Sequence, residues 1–74
     1  MKIAVESRLK EILDERGIKQ SHFVKKFKMS ATTLSALYRG ESLPTLAYAL
    51  VIANELGLKV EDIWAIKNKE ELLR

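Results

Sequence analysis

The chain has few of the residues that carry metal or redox chemistry. It contains no cysteine, one histidine, one proline and three glycines among 74 residues. Without cysteine, neither a disulfide framework nor a thiolate metal site can form, and a single histidine cannot provide the ligand cluster of a catalytic metal. We therefore expect no metal, no cofactor and no enzyme activity.

Long apolar runs are also missing. No run approaches the roughly 20 residues that a membrane-spanning helix needs, and no apolar segment follows Lys2 as it would in a signal peptide. With 47% apolar and 31% charged residues, the chain has the composition of a folded domain. Its length lies near the lower limit for a self-sufficient core. These features predict a single cytoplasmic domain over residues 1–74, without membrane contact.

Acidic residues are absent from one long stretch, residues 17–40, which reads GIKQSHFVKKFKMSATTLSALYRG. The stretch carries five basic side chains, namely Lys19, Lys25, Lys26, Lys28 and Arg39. The rest of the chain carries eight basic and ten acidic ones, so a segment of +5 lies in surroundings of −2. Two adjacent lysines alone usually mark only a solvated helix face. Positive charge concentrated over this length favours a polyanionic partner instead.

The apolar periodicity predicts short helices and no strong strand. We expect five helices, at about residues 8–16, 20–27, 31–38, 46–56 and 60–66. Ser7, Ser30 and Thr45 are the expected N-caps, and Gly17 and Gly57 the expected left-handed C-caps. The fourth helix should bury Leu46, Ala49, Leu50, Ala53 and Leu56. The predicted fold class is all-α, a five-helix orthogonal bundle, in which the first six residues form either a frayed arm or a short strand.

The second and third helices form the most informative pair. Phe23, Val24 and Phe27 share one face of the second helix, and Leu34 and Leu37 are the inward positions of the third. Little more than a tight connection separates them. Two short helices joined by three or four residues are the helix-turn-helix arrangement.

Spaced residues along the chain carry a family resemblance. They are Gln20-x-x-x-Val24-x-x-x-Lys28-Met29-Ser30-x-x-x-Leu34-Ser35, then Gly40, Pro44 and Ile52-Ala53-x-x-Leu56-Gly57-Leu58. This pattern resembles the lambda repressor/Cro-type helix-turn-helix family, also called the xenobiotic-response-element (XRE) family. The match covers about residues 7–64, which leaves residues 65–74 as a C-terminal tail. The resemblance implies a lambda repressor-like domain with its helix-turn-helix at helices 2 and 3, as in the short regulators of bacteria and phages.

Two positions depart from that family's pattern. Val24 replaces the alanine usual in the middle of the second helix, and Lys28 replaces the glycine usual in the turn. The turn residue commonly has a positive φ, where a Cβ costs roughly 1–2 kcal/mol. Either the turn has a different geometry here, or Lys28 is tolerated because its charge is useful.

The resemblance also implies roles for individual residues. The third helix would lie in the major groove of DNA, with Ala31, Thr32, Thr33 and Ala36 facing base edges. The position matching Gln20 would bind a phosphate and brace that helix, and Arg39 would lie near the backbone. The hydroxyl and basic side chains around them complete the expected phosphate set: Gln20, Lys25, Lys26, Lys28, Ser35 and Arg39.

The expected base-facing side chains are short. No Arg, Asn or Gln occurs among residues 31–36, so none of them can make a bidentate contact with guanine or adenine. We expect affinity to come from phosphates, and base discrimination from close approach, thymine methyl groups and DNA shape.

An apolar excess near the C-terminus has two interpretations. Leu58, Ile63, Trp64 and Ile66 either close a small core or form the interface of a homodimer. We favour the homodimer, because a short chain gains stability by association and a two-fold dimer reads two half-sites of a pseudo-palindromic operator about 34 Å apart.

The predicted function is therefore sequence-specific binding of double-stranded DNA by a transcriptional regulator, most simply a repressor. The alternative is a protein-interaction module, such as an antitoxin or adaptor subunit, whose cationic stretch meets an acidic partner. An enzyme is the weakest option, because the acids of the first helix lie beside no nucleophile, base or phosphate loop. No further domain for a small-molecule effector is evident.

Overall fold

The computed structural model of the protein describes residues 2–72. Its elements, in chain order, are β1 (Val5–Ser7), α1 (Leu9–Arg16), α2 (Gln20–Phe27), α3 (Ala31–Tyr38), α4 (Leu46–Leu56), α5 (Val60–Ile63), β2 (Trp64–Ile66) and α6 (Lys69–Leu72). The described part of the chain is thus mostly helical, with six helices and a two-stranded sheet. The prediction of a strictly all-α, five-helix fold was wrong in these two respects.

Capping chemistry sets the ends of the central helices. The Ser30 hydroxyl accepts a hydrogen bond from the Thr33 N–H at 3.4 Å, and the Thr45 hydroxyl accepts one from the Tyr48 N–H at 3.2 Å. Gly17 and Gly57 end α1 and α4 in the left-handed conformation, which glycine adopts without a Cβ penalty. These four capping predictions are confirmed.

The predicted cap at Ser7 was wrong, because Ser7 belongs to β1. Helix α1 begins one residue later than expected, with Arg8 at its N-cap position and no cap from the Arg8 side chain, although the Ser7 hydroxyl accepts a hydrogen bond from the Leu9 N–H at 3.5 Å. The Arg8 N–H instead donates to the carbonyl oxygen of Ile63 at 2.8 Å. The start of α1 is therefore held to the end of α5.

The antiparallel sheet replaces the second half of the expected fifth helix. Val5 pairs with Ile66, and Ser7 pairs with Trp64. Helix α5 stops after one turn because Trp64 turns extended, with φ −120° and ψ 107°, and its strand finds a partner in β1. The strand alternative for the N-terminal residues is the one observed.

The Asn68 side chain extends this sheet beyond its strands. Its Oδ1 accepts from the Ala4 N–H at 3.0 Å, and its Nδ2 donates to the Lys2 carbonyl at 2.9 Å. The Lys67 N–H donates to the Ala4 carbonyl at 2.8 Å. One amide side chain thus serves as a further rung of the ladder and holds the N-terminal residues against the C-terminal ones.

The hydrophobic core draws on every helix from α1 to α5. Its fully enclosed side chains are Leu9, Leu13, Phe23, Leu34, Leu37, Ile52 and Ile63. On α4 the buried stripe is Ala49, Ile52, Ala53 and Leu56. The predicted stripe was wrong at two positions, because Leu46 and Leu50 are 73% and 54% exposed. On the surface of α4, both side chains lie next to the buried stripe, on the same side of it, so they do not reach the core.

Candidate nucleic-acid interface

The turn between α2 and α3 keeps the left-handed residue of a helix-turn-helix. Lys28 has φ 54° and ψ 37°, and it is the one non-glycine residue with positive φ among residues 2–72. Its side chain is exposed, whereas the next residue, Met29, is buried in the core. Of the two alternatives for Lys28, the first is therefore wrong: the turn geometry is retained and the residue with a Cβ accepts its strain.

Helix α3 presents its first turn to solvent. Leu34 and Leu37 are 1% exposed and face the core, whereas Ala31, Thr32 and Thr33 are all exposed. Ala36, one turn further on, is half-buried, as is Ser35. Three of the four expected base-facing residues thus form a continuous exposed surface of short side chains, and the fourth lies at its edge.

The basic side chains around α3 fall into two groups. Within residues 2–72, no acid lies in ion-pair range of Lys19, Lys25 or Lys28, whereas Lys26 and Arg39 each have a carboxylate partner. A lysine whose charge is already compensated gains less from a phosphate than one that is not. The structure therefore separates side chains that looked equivalent in the sequence.

Glu55 of α4 is the partner of Lys26. The Lys26 Nζ lies 2.9 Å from both Glu55 carboxylate oxygens, and His22 Nε2 lies 2.6 Å from Oε2. These contacts, with the Lys26 hydrogen bond foremost, lower the pKa of Glu55 from its ordinary value. His22 and Lys26 share one face of α2, so Glu55 ties that face to α4.

Glu41 is the partner of Arg39 just beyond α3. The Arg39 Nε donates to a Glu41 oxygen at 2.8 Å, and its Nη1 donates to the Ser35 hydroxyl at 2.6 Å. The hydrogen bond and charge of Glu41 raise the pKa of Arg39 and lower that of Glu41. Two members of the expected phosphate set, Ser35 and Arg39, are thus in contact. The Glu41 carboxylate orients the guanidinium of Arg39.

Gln20 and Tyr38 line a shallow cleft together with Asp14 and Lys19. Gln20 is half-buried and is the first residue of α2. The Tyr38 hydroxyl donates to Asp14 at 2.5 Å, and this bond raises the pKa of Tyr38 and lowers that of Asp14. The hydroxyl is therefore occupied in holding α3 against α1.

The expected dimer residues lie mostly inside the monomer. Ile63 and Trp64 are 0% and 8% exposed, and Leu58 is half-buried, so Ile66 alone of the four is well exposed. The Trp64 indole N–H is buried without an acceptor among the described residues. The sequence analysis missed two apolar side chains that are more exposed than Ile66, namely Leu46 and Leu50. Their signal was a fourth helix with more apolar residues than one face can bury.

Other kinds of site find little support in the described residues. Within residues 2–72, no group of three His, Asp or Glu side chains lies close enough together to hold a metal ion. In the same range, no helix has both the length and the apolar content needed to cross a membrane.

Comparison with known families agrees with this geometry. The family model for the Cro/C1-type HTH DNA-binding domain matches residues 8–69, which include both helices of the pair, the turn and the sheet strand β2. A comparison with curated proteins gives no significant match. Because the family match spans most of the chain, the resemblance seen in the sequence is confirmed, and the chain belongs to the Cro/C1-type helix-turn-helix DNA-binding family.

Proposed function

We propose that this protein is a sequence-specific regulator of transcription that binds double-stranded DNA and acts as a repressor. The observation that carries the proposal is the surface of α2, the turn and α3. There, the exposed short side chains of Ala31, Thr32 and Thr33 are preceded in the chain by the uncompensated cations Lys25 and Lys28. Family membership supports DNA as the ligand, and short side chains let a helix approach the floor of the major groove closely.

Phosphate contacts supply most of the affinity in this proposal. Lys25 and Lys28 offer free positive charges, and Gln20 offers an amide at the first turn of α2. Ser35 and Arg39, already in contact with each other, serve the other end of α3. Lys26 contributes only if it leaves Glu55. Such contacts fix the register of the protein on DNA without reading its sequence.

Base discrimination falls to Ala31, Thr32, Thr33 and Ala36. Each threonine offers one hydroxyl, and the methyl groups of all four can contact thymine methyls. The Thr33 N–H is already used by the Ser30 cap, which keeps the first turn of α3 rigid. We propose that readout combines these small contacts with the local shape of DNA.

We further propose that a homodimer binds a pseudo-palindromic operator. Weak readout from each recognition helix is compensated when two half-sites are engaged at once. A two-fold dimer would set its half-sites one helical turn apart, about 34 Å. Repression then follows from occupancy of the operator, and control would come from protein abundance, proteolysis or a partner protein.

A second candidate function is a protein-interaction module, such as an antitoxin or an adaptor subunit. The exposed apolar side chains of Leu43, Leu46 and Leu50 favour it, since they offer a surface for another protein. In this case the cationic stretch would meet an acidic protein surface.

Selection of bound sequences from a random duplex pool tests both candidates. We expect an enriched motif with two half-sites. The double variant Thr32→Ala, Thr33→Ala should weaken the base preference at positions of that motif, while total duplex binding persists. Glu11→Gln, at an exposed position of α1, is the matched control and should leave the motif intact. Absence of duplex binding at low salt would eliminate the first candidate and leave the second.

A further inference from the structure

Arg39 lies at the end of α3 and on its outward face. It is the C-cap residue, with φ −78° and ψ −5° in the helical range, and its N–H donates to the Ser35 carbonyl at 3.0 Å. The helical spacing therefore continues to Arg39, which follows Thr32 by seven residues, about two turns. Because Leu34 and Leu37 face the core, Thr32 and Arg39 point the opposite way, and both are exposed.

Two neighbouring side chains hold the Arg39 guanidinium in place. Its Nε and Nη2 donate to the two Glu41 carboxylate oxygens at 2.8 and 3.1 Å, and its Nη1 donates to the Ser35 hydroxyl at 2.6 Å. Ser35 precedes Arg39 by four residues, so this contact directs the long side chain back along α3 toward its first turn. The guanidinium therefore lies beside the middle of the helix, at the level of Ser35.

These contacts leave part of the hydrogen-bonding capacity of Arg39 unused. A guanidinium has five N–H donors, and the contacts with Glu41 and Ser35 use one on Nε, one on Nη1 and one on Nη2. One donor therefore remains on each terminal nitrogen. Two donors on neighbouring nitrogens of one plane match the O6 and N7 acceptors that a guanine presents in the major groove.

The charge of the pair argues against a phosphate as the ligand of Arg39. Glu41 compensates the charge of Arg39, and its carboxylate would lie close to any anion that approached the guanidinium. A phosphate contact depends on net charge, whereas the edge of a guanine is uncharged and needs only correctly placed donors. A compensated and oriented arginine therefore matches a base better than the DNA backbone.

We propose that Arg39 reads a guanine in the major groove and that Glu41 and Ser35 are its positioning residues. The inference rests on the proposed function and deepens it, because it moves Arg39 from the phosphate contacts to the base contacts. It also supplies the bidentate contact that residues 31–36 cannot make, since they contain no Arg, Asn or Gln. Each half-site of the operator then contains one position with a strong preference for guanine, which we call the guanine position.

Selection from a random duplex pool, repeated with variants at two exposed residues, Arg39 and Glu41, tests the inference. For the natural protein we expect one guanine position in each half-site. Arg39→Gln should change the preferred base there from guanine to adenine, because a glutamine amide binds N6 and N7 of adenine. The positions read by Thr32 and Thr33 should keep their preferences.

Glu41→Gln distinguishes positioning from simple electrostatics. The variant removes a negative charge beside the DNA, so its affinity for unrelated duplexes should rise. Its preference at the guanine position should nevertheless fall by about 5-fold, because only Ser35 then holds the guanidinium plane. Glu15→Gln is the matched control, since it makes the same change of charge at an exposed position of α1. It should leave the preference for guanine intact.

Modified bases distinguish the guanine edge from the backbone within one duplex. Replacing guanine with 7-deazaguanine at the guanine position removes the N7 acceptor and leaves the phosphates unchanged. This replacement should weaken binding of the natural protein by about 10-fold, and it should not change the binding of Arg39→Gln. Inosine keeps O6 and N7, so the natural protein should bind a duplex with inosine there as it binds guanine.

The outcomes separate the inference from the proposed function. If Arg39→Gln weakened binding to every duplex alike and left the motif unchanged, or if 7-deazaguanine were bound as tightly as guanine, Arg39 would not read a base. The inference would then fall while the proposed function stood. If Glu41→Gln kept the full preference for guanine, the positioning role of Glu41 would be overturned. Absence of duplex binding at low salt would overturn the proposed function and the inference together.

Discussion

Lys28 combines a strained backbone conformation with a positive charge that we propose contacts DNA. Its φ of 54° lies where a side chain with a Cβ costs about 1–2 kcal/mol, and glycine would avoid that cost. The same side chain contributes one of the uncompensated charges beside α3. Conformational strain of this kind persists where the surrounding structure holds it, and it occurs often at functional sites.

We therefore expect Lys28→Gly to stabilise the fold and weaken DNA binding. Loss of strain, offset by the greater freedom of glycine in the unfolded chain, should leave a gain of about 1 kcal/mol. That gain would raise the Tm by about 4–8 °C for a domain of this size. Loss of one phosphate contact should lower the slope of log K against log salt by about 0.9. Thermal unfolding and fluorescence titration with duplex DNA measure the two effects.

Lys25→Gln is the control for Lys28→Gly, since it removes a charge from a regular helix. It should reproduce the change in salt slope and leave the Tm nearly unchanged. If Lys28→Gly failed to raise the Tm, we would conclude that Lys28 does not strain the turn. If it bound duplexes as well as the natural protein, the charge would have no role in binding.

At the scale of the element, residues near each helix end correctly predicted where the central helices begin and end. The bounds of α2 and α3 follow from residues near each helix end, such as Ser30, whose hydroxyl acts within three residues. The N-terminal strand stayed one of two alternatives and the strand β2 was missed, because the causes of the sheet are distant in sequence: Val5 is stabilised by Ile66. The register of α4 was missed because two overlapping sets of apolar residues both satisfy a helical period. Only packing against the other helices selects the set containing Ile52.

The candidate site shows the same division between local and distant causes. Exposure of Thr32 and Thr33 follows from the inward positions of Leu34 and Leu37 on one helix, so the sequence predicted it, whereas Ala36, expected to face outward with them, is half-buried. Compensation of Lys26 by Glu55 depends on how α2 packs against α4, and no spacing in the sequence indicates it. The sequence can therefore predict which face of a helix is exposed, but not which charged side chains on that face remain without an ion-pair partner.

The tie between α2 and α4 predicts a pH dependence of stability. Because Lys26 and His22 lower the pKa of Glu55 in the folded state, its contribution to stability is complete above the unfolded value of about 4.5. It is lost as the pH falls through the folded pKa, when the carboxylate is protonated. Glu55→Gln should remove that contribution at neutral pH, so the urea midpoint of the variant should depend less on pH in the acidic range.

Glu15→Gln serves as the control for the Glu55 substitution. Glu15 is exposed on α1 and has no ion-pair partner among residues 2–72, so its removal should leave the pH dependence of the natural protein unchanged. Asp14 and Glu41, whose pKa values are also lowered, remain in both variants and cancel in the comparison. Parallel curves for Glu55→Gln and the natural protein would rule out a stabilising tie at Glu55.

At the scale of the whole molecule, the cationic and apolar surfaces lie on different elements. The acid-free stretch, residues 17–40, contains α2 and α3, whereas the exposed leucines Leu43, Leu46 and Leu50 lie just before α4 or in it. This separation would let DNA binding and a contact with another protein occur together, because neither surface has to be covered for the other to work. Net charge alone, at +3, would not have indicated it.

The free and the compensated lysines of α2 provide the sharpest test of how this charge is used. Lys25 and Lys26 are adjacent, both are exposed, and their replacement by glutamine changes the net charge equally. If DNA responded only to total charge, Lys25→Gln and Lys26→Gln would weaken binding alike. If individual phosphate contacts matter, Lys25→Gln should lower the salt slope by about 0.9, whereas Lys26→Gln should change it little because Lys26 already binds Glu55. Titration of both variants with one duplex at several salt concentrations decides between these cases, and equal slopes for the two would mean that the ion pair with Glu55 does not keep Lys26 from contributing to DNA binding.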